Sequence, residues 1–142
     1  MDKLNVIYKA ERLGGSERRD AFEQVIIAAN QLGCDTSTSS ARAGGFNIRY
    51  GSIGYALMDI DCKGLVKLYV QPHPGKSSTD EFMQEMNDYI GADDDLTPKS
   101  FPINSYSHLE AQIEDIGGEK LAGFLEFALE QIKEEYYRPY YE

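Results

Sequence analysis

Residues 45–72, GFNIRYGSIGYALMDIDCKGLVKLYVQP, alternate in polarity over most of their length, which leaves few folds open. Successive side chains of a strand point to opposite faces, so residues two apart share one. Even positions hold Phe46, Ile48, Tyr50, Ala56, Met58, Ile60, Val66, Leu68 and Val70. Odd positions hold Asn47, Arg49, Tyr55, Leu57, Asp59, Asp61, Lys67 and Tyr69. One face is apolar and the other is mixed and wetter. The stretch is therefore predicted to be a three-stranded antiparallel meander over 46–70, with two tight turns. A three-residue loop, Cys62-Lys63-Gly64, keeps the parity if Gly64 adopts the left-handed conformation of a bulged hairpin. That register sets Ile60 opposite Val66 and Met58 opposite Leu68. It also sets Asp59 opposite Lys67, a cross-strand charge pair worth about 0.2–1 kcal/mol. A slip of one residue would bury the charges, so the register is well specified.

Around the meander the pattern changes. Leu4 to Tyr8 alternates and is predicted to be a first strand. Gly14-Gly15-Ser16 breaks the chain, with Ser16 as a helix N-cap. From Glu17 a helix is expected, with Phe22, Val25, Ile26, Ala29 and Leu32 along one face and Gly33 at its end. Residues 35–45, DTSTSSARAGG, read as a polar loop. Ser78-Thr79-Asp80-Glu81 is a capping box opening a helix to Ile90, with Gly91 beyond it. Residues 107–115 are compatible with strand or helix, and strand is preferred as a further partner for the sheet. Gly117-Gly118 precedes the longest predicted helix, 119–137, whose stripe is Leu121, Leu125, Ala128 and Ile132, widened by Phe124 and Leu129. The expectation is a single α+β domain over 1–142. Its antiparallel sheet has four or five strands, and three helices pack mainly on one face.

Charge and chemistry narrow the function classes. The chain has 142 residues, 24 acidic and 14 basic, for a net charge of −10. This argues against direct nucleic-acid binding, which needs a cationic footprint. With 42% hydrophobic residues, ten Tyr and six Phe, the composition is that of a folded globule. No run is long enough to span a bilayer and the first residues lack the apolar core of a signal peptide, so a cytoplasmic protein with Cys34 and Cys62 reduced is expected.

No catalytic constellation stands out, and no cofactor is implied. Gly75-Lys76-Ser77 imitates the end of a phosphate-binding loop, but Val70 stands where the pattern needs glycine, and Pro72 and Pro74 remove backbone donors. Cys34, Cys62, His73 and His108 lack metal-ligand spacing, and Asp93-Asp94-Asp95 lacks that of a calcium loop. Two binding readings remain. In the first, the acidic protein binds a protein partner as an accessory, inhibitor or nucleic-acid-mimicking factor. Its contacts would come from Asp93, Asp94 and Asp95 and from the tail tyrosines Tyr137, Tyr140 and Tyr141. In the second, Ser16, Arg18 and Arg19 at the start of the first helix, with Arg42 and Lys76, bind a small anionic, phosphorylated or nucleotide-like ligand. The bland alternative for the arginines is a capped helix with Arg18 and Arg19 on its solvent face, paired with Glu23. A monomer is favoured over a homodimer, with the tail folding back on its own domain.

Overall fold

The computed structural model describes residues 2–38, 44–51, 55–69 and 108–132. In chain order these are helix α1 (Lys3–Gln31), strands β1 (Asp35–Thr38), β2 (Gly45–Tyr50), β3 (Tyr55–Asp61), β4 (Leu65–Tyr69) and β5 (His108–Gln112), the single turn α2 (Ile113–Ile116) and helix α3 (Gly118–Ile132). The strands form one antiparallel sheet in the order β1-β2-β3-β4-β5. The class is α+β, with the helices packed on the sheet. The expected helix over 78–90, the Asp93–Asp95 run and the tyrosine tail lie outside the described residues.

The predicted β3–β4 register is observed: Ile60 pairs with Val66 and Met58 with Leu68. Its turn closes on Asp61, whose Oδ1 accepts from the backbone N–H of Lys63 (2.9 Å) and of Leu65 (3.1 Å). Gly64 has φ +96°, a region that side-chain-bearing residues rarely enter. Phe46, Ile48, Met58, Ile60, Val66 and Leu68 are all buried, so the even face is the core face. Against it lie Phe22, Val25 and Ala29 of α1, and Leu121, Phe124, Leu125, Ala128 and Leu129 of α3, as their helical spacing implied.

Strict alternation fails at one point. Ile48 pairs with Met58 but Arg49 pairs with Ala56, so β3 carries one extra residue, Leu57. A bulge of this kind bends the strand and re-aims its side chains. Leu57 is fully buried instead of facing the wetter side, and Ala56 stands opposite Arg49 on that side instead of joining the core.

Two further expectations are corrected. Residues 4–8 are helix, not strand. Asp2 caps α1 by accepting from the N–H of Asn5 (2.8 Å), and Val6 and Ala10, four apart, form its buried stripe. Five alternating residues fit either period, and the cap decides for helix. The fifth strand comes instead from residues 35–38, which were expected to be loop. Thr36 and Thr38 are half-buried there and Asp35 and Ser37 exposed, a period-two pattern carried by threonines and hidden by overall polarity. Of residues 107–115, where strand was preferred, 108–112 are strand but 113–115 belong to the helical turn α2, and the reason also differs: β5 pairs with β4, and there is no N-terminal strand to be partnered. The C-terminal helix expected over 119–137 is described as far as Ile132, and α1 spans 29 residues. The latter is two helices meeting at Gly15, where φ +82° and ψ −173° interrupt the helical path at the predicted break.

Asp59 and Lys67 are opposite each other, yet no ion pair joins them. Asp59 Oδ2 instead accepts from the Tyr69 hydroxyl at 2.5 Å, two residues further along β4, within diagonal reach of a long aromatic side chain. Its other oxygen, Oδ1, is shut off from solvent and has no hydrogen-bond partner among the described residues. Burial, then the hydrogen bond to Asp59, pushes the Tyr69 hydroxyl well above its usual range. A proton held more tightly when folded stabilises the fold at pH below the ordinary tyrosine value of about 10, and that stability is lost as pH rises further. Tyr69→Phe leaves the carboxylate without a donor and is expected to cost about 1–3 kcal/mol at neutral pH. In urea melts from pH 7 to 11 the variant should lack this component of the wild-type decline above pH 10.

Candidate functional site

The glycines and arginines at the α1 break were the sequence's best candidate for anion binding, and the structure gives each a position. Ser16 is exposed just past the kink. Arg18 does not lie on the solvent face, since its side chain is only 12% exposed. It runs across Gly14, where a Cβ would fall 2.1 Å from its Nε, and past Gly64 of the β3–β4 turn, where a Cβ would fall 2.9 Å from its guanidinium. At the end of this path Nε donates to Glu114 Oε1 at 2.7 Å and Nη1 donates to the Cys62 carbonyl at 3.0 Å. Arg18 thus joins the α1 kink, the hairpin turn and α2. The glycine at position 14 is explained by this side chain as much as by the break.

Arg19 behaves as the bland reading expected, and goes further. Its Nε donates to Glu23 at 2.8 Å, one helical turn on, and its Nη1 to Glu11 at 2.6 Å, across the kink. The guanidinium also sits 5.6 Å from the centre of the Tyr8 ring. The hydrogen bonds to Glu23 and Glu11 hold it protonated even more firmly than usual. Both arginines are thus bonded to carboxylates of their own chain. Arg42 and Lys76 lie outside the described residues, as do Asp93, Asp94, Asp95, Tyr137, Tyr140 and Tyr141.

Beside Arg18 a cleft of about 200 Å³ opens between the second half of α1 and the β5–α2–α3 junction. Glu17, Arg18, Asp20, Ala21 and Gln24 line it from α1, and Ile113, Glu114, Gly117 and Gly118 from the other side. Gly118 sets its depth. A Cβ there would fall 2.6 Å from Ala21 Cα and 2.2 Å from Gln24 Oε1, so only glycine lets α3 start this close to α1. Three carboxylates stand against one guanidinium in the lining, and that guanidinium is already bonded to Glu114. Glu17 and Asp20 have no hydrogen-bond or ion-pair partner among the described residues. Such a cleft attracts an ammonium or guanidinium group and repels phosphate.

Sequence reasoning reached Arg18 and missed the acids around it. Glu17 and Asp20 read as ordinary helix surface, and Glu114 lay in the stretch whose conformation was ambiguous. Cys34 and Cys62 are free, buried thiols, and burial pushes the Cys62 thiol up. Among the described residues no group of His, Cys, Asp and Glu converges as a metal site, and no helix is long and apolar enough to cross a membrane. No protein-family model, curated protein or solved structure matches the chain.

Proposed function

We propose that the protein works by binding a protein partner, and that the cleft beside Arg18 receives a basic side chain of that partner. The observation that supports this reading is the lining: among the described residues Glu17 and Asp20 are unpaired, and the one cation in the lining is engaged by Glu114 and the Cys62 carbonyl. The net charge of −10 acts in the same direction, steering a basic partner at long range. Binding of a small anion at the start of the second half of α1 has less in its favour, because both arginines there are already held by carboxylates.

The test uses a lysine-containing peptide array and the partners it leads to. Binding should weaken about tenfold or more in the Glu17→Lys, Asp20→Lys double variant, since reversal replaces attraction by repulsion at close range. It should also weaken with added salt. Inorganic phosphate at millimolar concentration should leave the thermal midpoint where it is. A partner whose affinity ignores the charge reversal, or a clear stabilisation by phosphate, would overturn the reading.

A further inference from the structure

Residues 3–14, the first half of α1, are tied to the rest of the molecule more weakly than residues 16–31. Helical hydrogen bonding propagates cooperatively only through continuous helical backbone, and Gly15 interrupts it. The first half fully buries only Val6 and Ala10, whereas the second buries Ala21, Phe22, Val25 and Ala29. Leu4, Tyr8 and Leu13 are 57%, 48% and 52% exposed, so much of the first half's apolar surface is already in water. Among the described residues its polar and ring ties through side chains are Lys3 to Thr36 Oγ1 (2.7 Å) and Glu11 and Tyr8 to Arg19. Those to Arg19 are exposed by more than a third and are screened by salt. Beneath this half lies Cys62, whose buried thiol donates to the Val6 carbonyl at 3.4 Å.

We propose that residues 3–14 form a strap that opens as a unit about Gly15 while the sheet and the remaining helices stay folded. Opening uncovers the Cys62 thiol and the part of the core that Val6 and Ala10 cover. Arg19 is its latch, because it bonds to Glu11 and stacks near Tyr8 on one side of the kink while holding Glu23 on the other. Local openings of this kind have free energies between zero and that of global unfolding, and an element with few buried contacts lies at the low end.

The test is labelling of Cys62 by an aromatic disulfide in the Cys34→Ser chain, together with amide hydrogen exchange on the wild type. The labelling rate should rise with urea along a slope well below that of the global equilibrium melt, because the strap exposes little surface. Arg19→Ala should raise the rate in the absence of urea by about three- to tenfold. In wild-type exchange, amides of residues 6–14 should lose protection together and before those of 21–31. Labelling that follows the full global slope, or amides 6–14 exchanging in step with 21–31, would overturn the proposal. The exchange measurement decides the matter even if Cys34→Ser folds poorly.

Discussion

Leu57→Asp is expected to unfold the protein as completely as Met58→Asp. Strict alternation along β3 would put these neighbours on opposite faces and make only the second substitution severe. The bulge at Leu57 removes the distinction, and both side chains are fully buried. A carboxylate forced into either position loses its hydration without gaining a partner, at a cost of several kcal/mol against a total stability of about 5–15 kcal/mol. Ser37→Asp, on the exposed side of β1, is the control and should stay within about 0.5 kcal/mol of wild type. Urea melts of the three variants decide it. A folded Leu57→Asp beside an unfolded Met58→Asp would mean that β3 has no bulge.

How far the fold was legible follows from which signals are local. The β3–β4 hairpin was readable because parity, a turn glycine and the position of the charges all required the same register. The helical faces of 16–31 and of α3 were readable from spacing alone. The bulge was not, because an extra residue in one strand is visible only against its partner, and alternation within β3 gives no sign of it. Residues 4–8 misled because five residues do not separate a period of two from one of 3.6, and the Asp2 cap lay outside the apolar window that was read. Residues 35–38 misled because strand propensity there rests on two threonines in a polar stretch. The site was legible only as a set of charges near a helix start. Whether those arginines face a ligand or their own protein depends on Glu114, 96 residues away, and no local pattern carries that distance.

Arg18 acts as a structural strut, and its substitutions separate that role from anion binding. Its guanidinium reaches two acceptors at once, a carboxylate on α2 and the main-chain carbonyl that opens the hairpin turn. Arg18→Ala leaves the Cys62 carbonyl and the Glu114 carboxylate without this donor and empties the channel across Gly14. The expected loss is about 2–4 kcal/mol, below the full cost of breaking a buried pair because Glu114 remains partly in water. Arg18→Lys should restore little of it, since a single ammonium cannot reproduce a fork that holds both acceptors in fixed directions. Glu114→Gln should cost less than Arg18→Ala, because the amide oxygen still accepts from Nε and the Cys62 carbonyl keeps its donor. Urea melts in a buffer free of phosphate and sulfate measure all three. A residue kept for an anionic ligand would be dispensable there, so an Arg18→Ala variant as stable as wild type would remove the strut and return Arg18 to the list of binding residues.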